Sequence, residues 1–375
     1  MAQARNNHPQ QDQLSLLRFV FGSWRGWLLA LVPAAVVMEL LHVGGLPLFL
    51  VSALAIMPLA VLLGEATEEL SLYLGPSLGG LLNATFGNAG ELIIAFFLLR
   101  ANQLDVVAAS ITGSIIGNVL LVFGLSAFVG GLKYERQTFS RTLAGVNSSM
   151  LLLAVAALVM PAVFAYVVFG TLADPGSHAQ VERLSLWTAV VLLLIYGAHL
   201  VFSLITHKNL IGGVEEHRPP HLSIATALGV MIPAAVLVGW ISEIFVGAIE
   251  PTTHALGMSN LFVGIIVVAM IGNAAEHAGA VMMARRNQMD LAVAISIGSS
   301  VQIALLVAPL LVIASFLMGR HLTLVFNPFE IAAVVLAVMV VDTVSSDGET
   351  NWLEGLQMLA LYAMLALAFF FVPSK

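Results

Sequence analysis

The 375-residue chain contains no cysteine, which excludes disulfides, thiolate metal sites and thiol chemistry. Charge is scarce as well: 9% of residues are Asp, Glu, Lys or Arg, against about 25% in soluble domains. The few basic residues form no patch of the kind that holds nucleic acid. No phosphate-binding loop or nucleotide fingerprint is present, so nothing points to ATP as an energy source. The net charge of −7 carries little information about partners, because most charges stand at the ends of apolar segments.

Apolar sequence fills the space. Hydrophobic residues make up 59% of the chain and the mean hydropathy is +0.99. Nearly uncharged stretches of about 20 residues recur from Gly26 to Pro373, the pattern of a polytopic membrane protein in contact with lipid. The runs are continuous rather than alternating, which predicts helices and not a β-barrel. Spans are expected near residues 26–44, 46–65, 79–99, 106–131, 142–169, 184–206, 222–248, 258–283, 290–318, 327–341 and 352–373, the tenth extending past Asp342. Counting Lys and Arg in the connecting loops against these eleven spans favours a cytoplasmic N-terminus and an outer C-terminus.

The chain is internally repeated. GNAGELIIAFFLLRANQLD at 87–105 matches GNAAEHAGAVMMARRNQMD at 272–290 at a constant offset of 185 residues. Gly87, Asn88, Glu91, Arg100, Asn102, Gln103 and Asp105 all recur in the second copy. Upstream, IMPLAVLLGEATEEL at 56–70 matches MIPAAVLVGWISEIF at 231–245, so that Glu68 meets Glu243. Bland packing needs only apolar residues, yet the halves share Asn, Glu, Gln and Asp. The fold expected is therefore all-α, with one extra N-terminal helix and two five-helix repeats. Five is odd, so the second repeat is inverted in the membrane, an arrangement typical of secondary transporters. The corresponding divisions are a polar tail at 1–25, an extra helix at 26–45, a first repeat at 46–206, a linker at 207–221 and a second repeat at 222–375.

Glu91 and Glu276 fall near mid-span, where a carboxylate costs several kcal/mol unless paired or hydrated and marks a functional site by default. No Lys or Arg lies near mid-span to neutralise them, so a mobile cation or protons must do so. Two such groups titrate as a coupled unit, and a divalent cation and protons then exclude one another. Calcium takes six to eight oxygen ligands at about 2.3–2.6 Å; manganese accepts similar donors. Asn88 and Asn273 add amide oxygens, and Gly87 and Gly272 are expected either to loosen the helix before each glutamate or to permit close packing. A second polar line holds Ser114, matched to Ser299, and one turn onward the amides Asn118 and Gln302, which are not strictly aligned; it is read as cavity lining or as interhelical hydrogen bonding. His277 is placed to relay a proton, to bond Glu276 or simply to pack. Glu68 and Glu243 are expected at the mouths, where Glu65, Glu69 and Glu250 are also interfacial candidates. Glu330 is read as a buried accessory polar group.

These motifs resemble the calcium/proton antiporters of the calcium/cation exchanger superfamily. GNAGELI at 87–93 with GSIIGNVLLVFG at 113–124, GNAAEH at 272–277 with GSSVQIALLVAPLLV at 298–312, and DGETNWLEG at 347–355 carry the resemblance. It implies eleven helices, proton-driven calcium transport rather than an enzymatic activity, and cation binding at Glu91 and Glu276. It also implies a polar lining that includes Asn88, Asn273, Ser299 and Gln302. The acidic run that such proteins carry between their halves is reduced here to Glu215 and Glu216. Short termini suggest a bacterial inner membrane. A sodium/calcium or broad divalent-cation exchanger is the nearest alternative; a cation channel or a non-transporting membrane scaffold is the alternative from another class.

Overall fold

The computed structural model describes residues 19–20, 22, 24–172, 178–207 and 219–373. Most of the polar tail and the centre of the linker, with Glu215 and Glu216, lie outside the described residues.

The apolar runs form helices, and their ends are set by local chemistry. The first expected span is occupied by α1 (Trp24–Leu29) and α2 (Leu31–Leu40). Then come α3 (Leu46–Gly75), α4 (Ser77–Arg100), α5 (Leu104–Gly131), α6 (Arg141–Phe169) and α7 (Ala179–Thr206). The second half supplies α8 (Ile224–Leu256), α9 (Asn260–Gly272), α10 (Ala274–Arg285), α11 (Met289–Leu317), α12 (Pro328–Ser345) and α13 (Trp352–Phe370). Side chains of Ser140, Ser223 and Ser259 accept from the first-turn N–H groups of α6, α8 and α9, satisfying donors that a helix leaves orphaned. Gly170 and Gly257 end α6 and α8 in the left-handed conformation, at φ 70° and 63°.

Among the described residues nine helices are long and apolar enough to cross a membrane, and ten if the bent pair α9–α10 is one span. The expected first span differs, since α1 and α2 have 6 and 10 residues. The second differs too. The run at 46–65 continues as helix to Gly75, so Glu65, Glu68 and Glu69 lie within α3 rather than at its end. Gly75, at φ 74°, then turns the chain into α4.

Loop contacts sort the helix ends into two faces. On one, β1 (Gln137–Thr138) pairs antiparallel with β2 (Glu349–Thr350), Gln137 donates to the Ala284 carbonyl at 2.8 Å, and the Ser140 N–H donates to Asp290 at 2.7 Å. The loops after α5, α10 and α12 therefore meet. On the other, Arg320 donates to Asn102 at 3.1 Å and to the Arg100 carbonyl, His321 meets Glu182 at 2.8 Å, and Arg100 pairs with Glu243 at 3.3 Å. Helices α3, α5 and α11 form the buried centre, with 67%, 89% and 67% of their apolar windows covered, while α7 and α13 are each 17% covered and line the periphery.

Glu330 has a local explanation. Asn327 caps α12 and the Glu330 carboxylate accepts in return from the Asn327 N–H at 2.9 Å, forming a capping box with Pro328 in the first turn. Its other oxygen accepts from Thr112 at 2.8 Å. One oxygen thus caps α12 and the other ties α12 to α5. Glu330→Ala should lower thermal stability by about 1–2 kcal/mol, the scale of a lost cap, while ion flux per folded molecule stays within about twofold. Thermal melting alongside liposome flux checks both parts; a flux collapse at unchanged melting temperature would make Glu330 a transport group.

Candidate functional site

The two repeated motifs meet at the centre of the bundle. Each interrupts its helix in the same way, but the break sits on the asparagine rather than on the glycine before it. Asn88 has φ −92°, ψ 15° and Asn273 has φ −95°, ψ 18°, whereas Gly87 keeps helical angles. Glu91 and Glu276 occupy the first turn of the half-helices that restart there. A half-helix N-terminus presents unpaired N–H groups and partial positive charge, which suits a carboxylate at this depth.

Cross-repeat hydrogen bonds build the surroundings. Asn118 donates to the Asn273 side-chain carbonyl at 2.8 Å, Asn273 donates to the Ser114 hydroxyl at 2.9 Å, and Ser114 donates to Glu91 at 3.0 Å. The mate of this chain is Asn88, which donates to Gln302 at 2.5 Å. Each repeat's asparagine therefore reaches the other repeat's polar segment. Asn88, Asn118 and Asn273 are buried, with 2%, 0% and 1% exposure, so these bonds are made away from lipid. The helix holding Asn118 widens into a π-helical turn over Gly117–Val122, and the one holding Gln302 does so directly after that residue, over Ile303–Val307. Such turns are frequent at functional positions; nothing in the apolar sequence marked them.

Close packing brings the two motifs together. A Cβ added at Gly272 would stand 2.9 Å from the Glu91 Cγ, so glycine there makes room for the opposing glutamate. This is the packing role for Gly272. Gly87 has no such neighbour across the interface; the Asn83 carbonyl stands 2.5 Å from its Cβ position. The halves also differ in shape. The axes of α9 and α10 meet at 62°, whereas α4 passes through its own break as one span. Among the described residues no bond from Ser299 to Glu276 matches the Ser114–Glu91 bond, and His277 makes no hydrogen bond to Glu276.

The carboxylates differ in how they are satisfied. The Glu69 Oε2 accepts from the His221 and Leu222 N–H groups at 2.7 and 3.1 Å, anchoring the start of α8. Glu65 is held by Arg25. By contrast, the Oε2 atoms of Glu91 and Glu276 are buried with no hydrogen-bond partner, as is that of Glu354. Of these three, Glu91 and Glu276 are mates across the 185-residue repeat. Neither forms an ion pair with Lys or Arg among the described residues. A buried, unpartnered carboxylate oxygen is costly, and here two carboxyl groups stand on motifs that amide and hydroxyl groups link across the repeats. That donor set suits a hard cation. Among the described residues no cluster of three or more His, Asp or Glu side chains offers a competing site.

Glu68 and Glu243 lie apart from this centre, exposed, towards opposite faces of the bundle. An apolar groove between α4 and α8 runs from Glu243 past Trp240 and Phe97 to Leu92 and Ile93, the residues that follow Glu91.

The family model described as sodium/calcium exchanger protein matches residues 44–205 and 226–371, once in each half. A Ca(2+)/H(+) antiporter of Aphanothece halophytica is 43% identical over 362 residues, covering 92% of this chain and 96% of that one. The Ca(2+)/H(+) antiporter ChaA of Bacillus subtilis is 44% identical over 345 residues, covering 90% and 96%. The solved structure of native YfkE superposes with a TM-score of 0.81 at 41% identity, covering 93% of this chain and all of that one. The H+/Ca2+ exchanger CAX shares the fold, with a TM-score of 0.68 at 14% identity over 96% and 92% of the two chains. The chain is an integral membrane protein of the sodium/calcium exchanger protein family.

Proposed function

We propose that this protein exchanges Ca2+ for H+ by alternating access, with Glu91 and Glu276 taking up either the cation or protons. The observation that carries the reading is the pair of repeat-mate carboxylates, each with a buried oxygen that has no hydrogen-bond partner among the described residues. A divalent ion or two protons would balance them equally well, and each excludes the other. Asn88, Asn273, Ser114, Asn118, Ser299 and Gln302 supply the polar lining, Gly272 the space, and His277 a neighbouring imidazole. The names of relatives 43% and 44% identical over nine tenths of the chain support Ca2+ and H+ as the ions. Manganese fits the same oxygen donors.

The finer layout belongs to this reading. The short α1–α2 pair counts as an extra first span, α3–α7 and α8–α13 as inverted repeats, and the family match in two blocks supports the division. The N-terminus is cytoplasmic, the C-terminus outside, and the membrane a bacterial inner membrane. Uptake of 45Ca2+ into proteoliposomes under imposed pH or sodium gradients tests the function. Uptake that follows the proton gradient is expected. Sodium dependence would favour the sodium/calcium alternative, uptake without a counter-gradient a channel, and no uptake a scaffold.

Glu68 and Glu243 serve as mouth carboxylates, where water reaches. Glu68→Gln and Glu243→Gln should slow turnover about two- to tenfold, the range in which removal of a steering charge acts, while calcium binding by titration calorimetry persists. Loss of binding in a folded variant would make either residue a primary ligand.

A further inference from the structure

The glycines of the two repeats are in unequal states. At the α5–α9 crossing, a Cβ on Gly113 would stand 2.3 Å from the Ile265 carbonyl oxygen, and one on Gly264 would stand 2.4 Å from the Ala109 Cβ. The two backbones touch there, and only glycine permits it. The repeat offset of 185 carries Gly113 to Gly298 and Gly264 to Gly79. The mate pair does not meet. Nothing stands within 4 Å of the Gly298 Cβ position, and the nearest atom to that of Gly79 is the Ser71 carbonyl oxygen of α3, 2.2 Å away across the Gly75 turn. Burial agrees: Ser110 is buried and its mate Ile295 is partly exposed, as are Gly113 and Gly298 respectively.

We infer that Gly79 and Gly298 form the closing contact of the protein's other conformation, the inverted copy of the Gly113–Gly264 crossing. In this structure α9 seals the site on α5. Swapping the conformations of the two repeats would bring the first half of α4 onto α11 and part α9 from α5. The 62° bend of α9–α10, against the single span of α4, is the shape difference such an exchange would transfer. The inference rests on the exchange reading and adds to it which backbone contact must form and which must break. The empty space beside Gly298 is required by the cycle, not by folding.

Gly298→Leu and the milder Gly298→Ala test it in reconstituted protein. A Cβ at this position meets nothing within 4 Å, so the melting temperature of Gly298→Ala should hold, yet Leu would obstruct the contact of the other state. Proton-driven 45Ca2+ exchange in Gly298→Leu should fall at least about tenfold, the scale on which overpacking disfavours the state that contains it, with Gly298→Ala intermediate. Because the chain has no cysteine, Ser110→Cys and Ile295→Cys report the two sides separately by maleimide labelling. In the Gly298→Leu background Ile295→Cys should stay reactive and Ser110→Cys should slow at least about tenfold, since the state that exposes it is depopulated. Wild-type exchange in Gly298→Leu, or lost exchange with Ser110→Cys labelling unchanged, would overturn the inference. Absence of proton-driven exchange in the unsubstituted protein would instead strike the exchange reading, while the labelling would still report whether two states exist.

Discussion

Glu91→Gln and Glu276→Gln should each abolish proton-driven calcium exchange in a protein that still folds. Glutamine keeps the shape and a hydrogen-bonding carbonyl, so the Ser114 hydroxyl retains an acceptor at position 91. What it removes is the charge that alternates between cation and proton. Taking one partner from a buried charged cluster costs about 3–5 kcal/mol, and at about 1.4 kcal/mol per tenfold flux should fall below about 1% of wild type. The melting temperature should hold or rise, because repulsion between the two carboxylates is relieved. Glu→Asp at either position keeps the charge but withdraws it by one methylene, so partial activity is expected. Flux and melting measured on all four variants separate charge from geometry; near-normal exchange in both Gln variants would remove these residues from the mechanism.

Asn273→Ala should have the next largest effect. Its amide donates to Ser114 and to the Ala269 carbonyl and accepts from Asn118. Asn118 already has a buried carbonyl oxygen without a partner, so the substitution leaves its whole side chain unmatched. Ser114 loses the donor that orients it on Glu91. Buried unsatisfied groups cost about 1–3 kcal/mol, while single bonds between membrane helices average about 0.6 kcal/mol. A total near 2 kcal/mol follows, and calcium affinity should fall roughly tenfold or more. Adding Asn118→Ala should cost little further, since the two residues act through one bond. Calorimetric titration of the single and double variants measures this; additive losses would mean that the residues act independently.

Much of this site was legible because the chain states it twice. A lone glutamate among apolar residues is ambiguous, whereas Glu91 and Glu276 at a fixed offset, each with its asparagine, point to one convergent centre. Glu330 was legible in principle, since Asn327-Pro328-Phe329-Glu330 is a helix-start signal, although its place in an apolar span made it read as a buried accessory polar group. Other features depend on distant partners. Charges in GEATEEL read as the end of a span, but Glu69 is satisfied by N–H groups from residues 221 and 222, which lets the helix run on. The β1–β2 pair joins loops some 210 residues apart. The inequality of the halves is invisible in principle, because the same motifs serve both conformations.

The central claim is that calcium and protons compete for Glu91 and Glu276. Calcium binding measured by calorimetry in buffers of different ionisation heat, over a series of pH values, counts the protons released per ion bound. Binding should release protons, with an upper bound of about two from the pair, and both binding and release should vanish in Glu91→Gln and Glu276→Gln. Calcium binding with no proton release at any pH, or release that persists in the doubly substituted protein, would contradict the account.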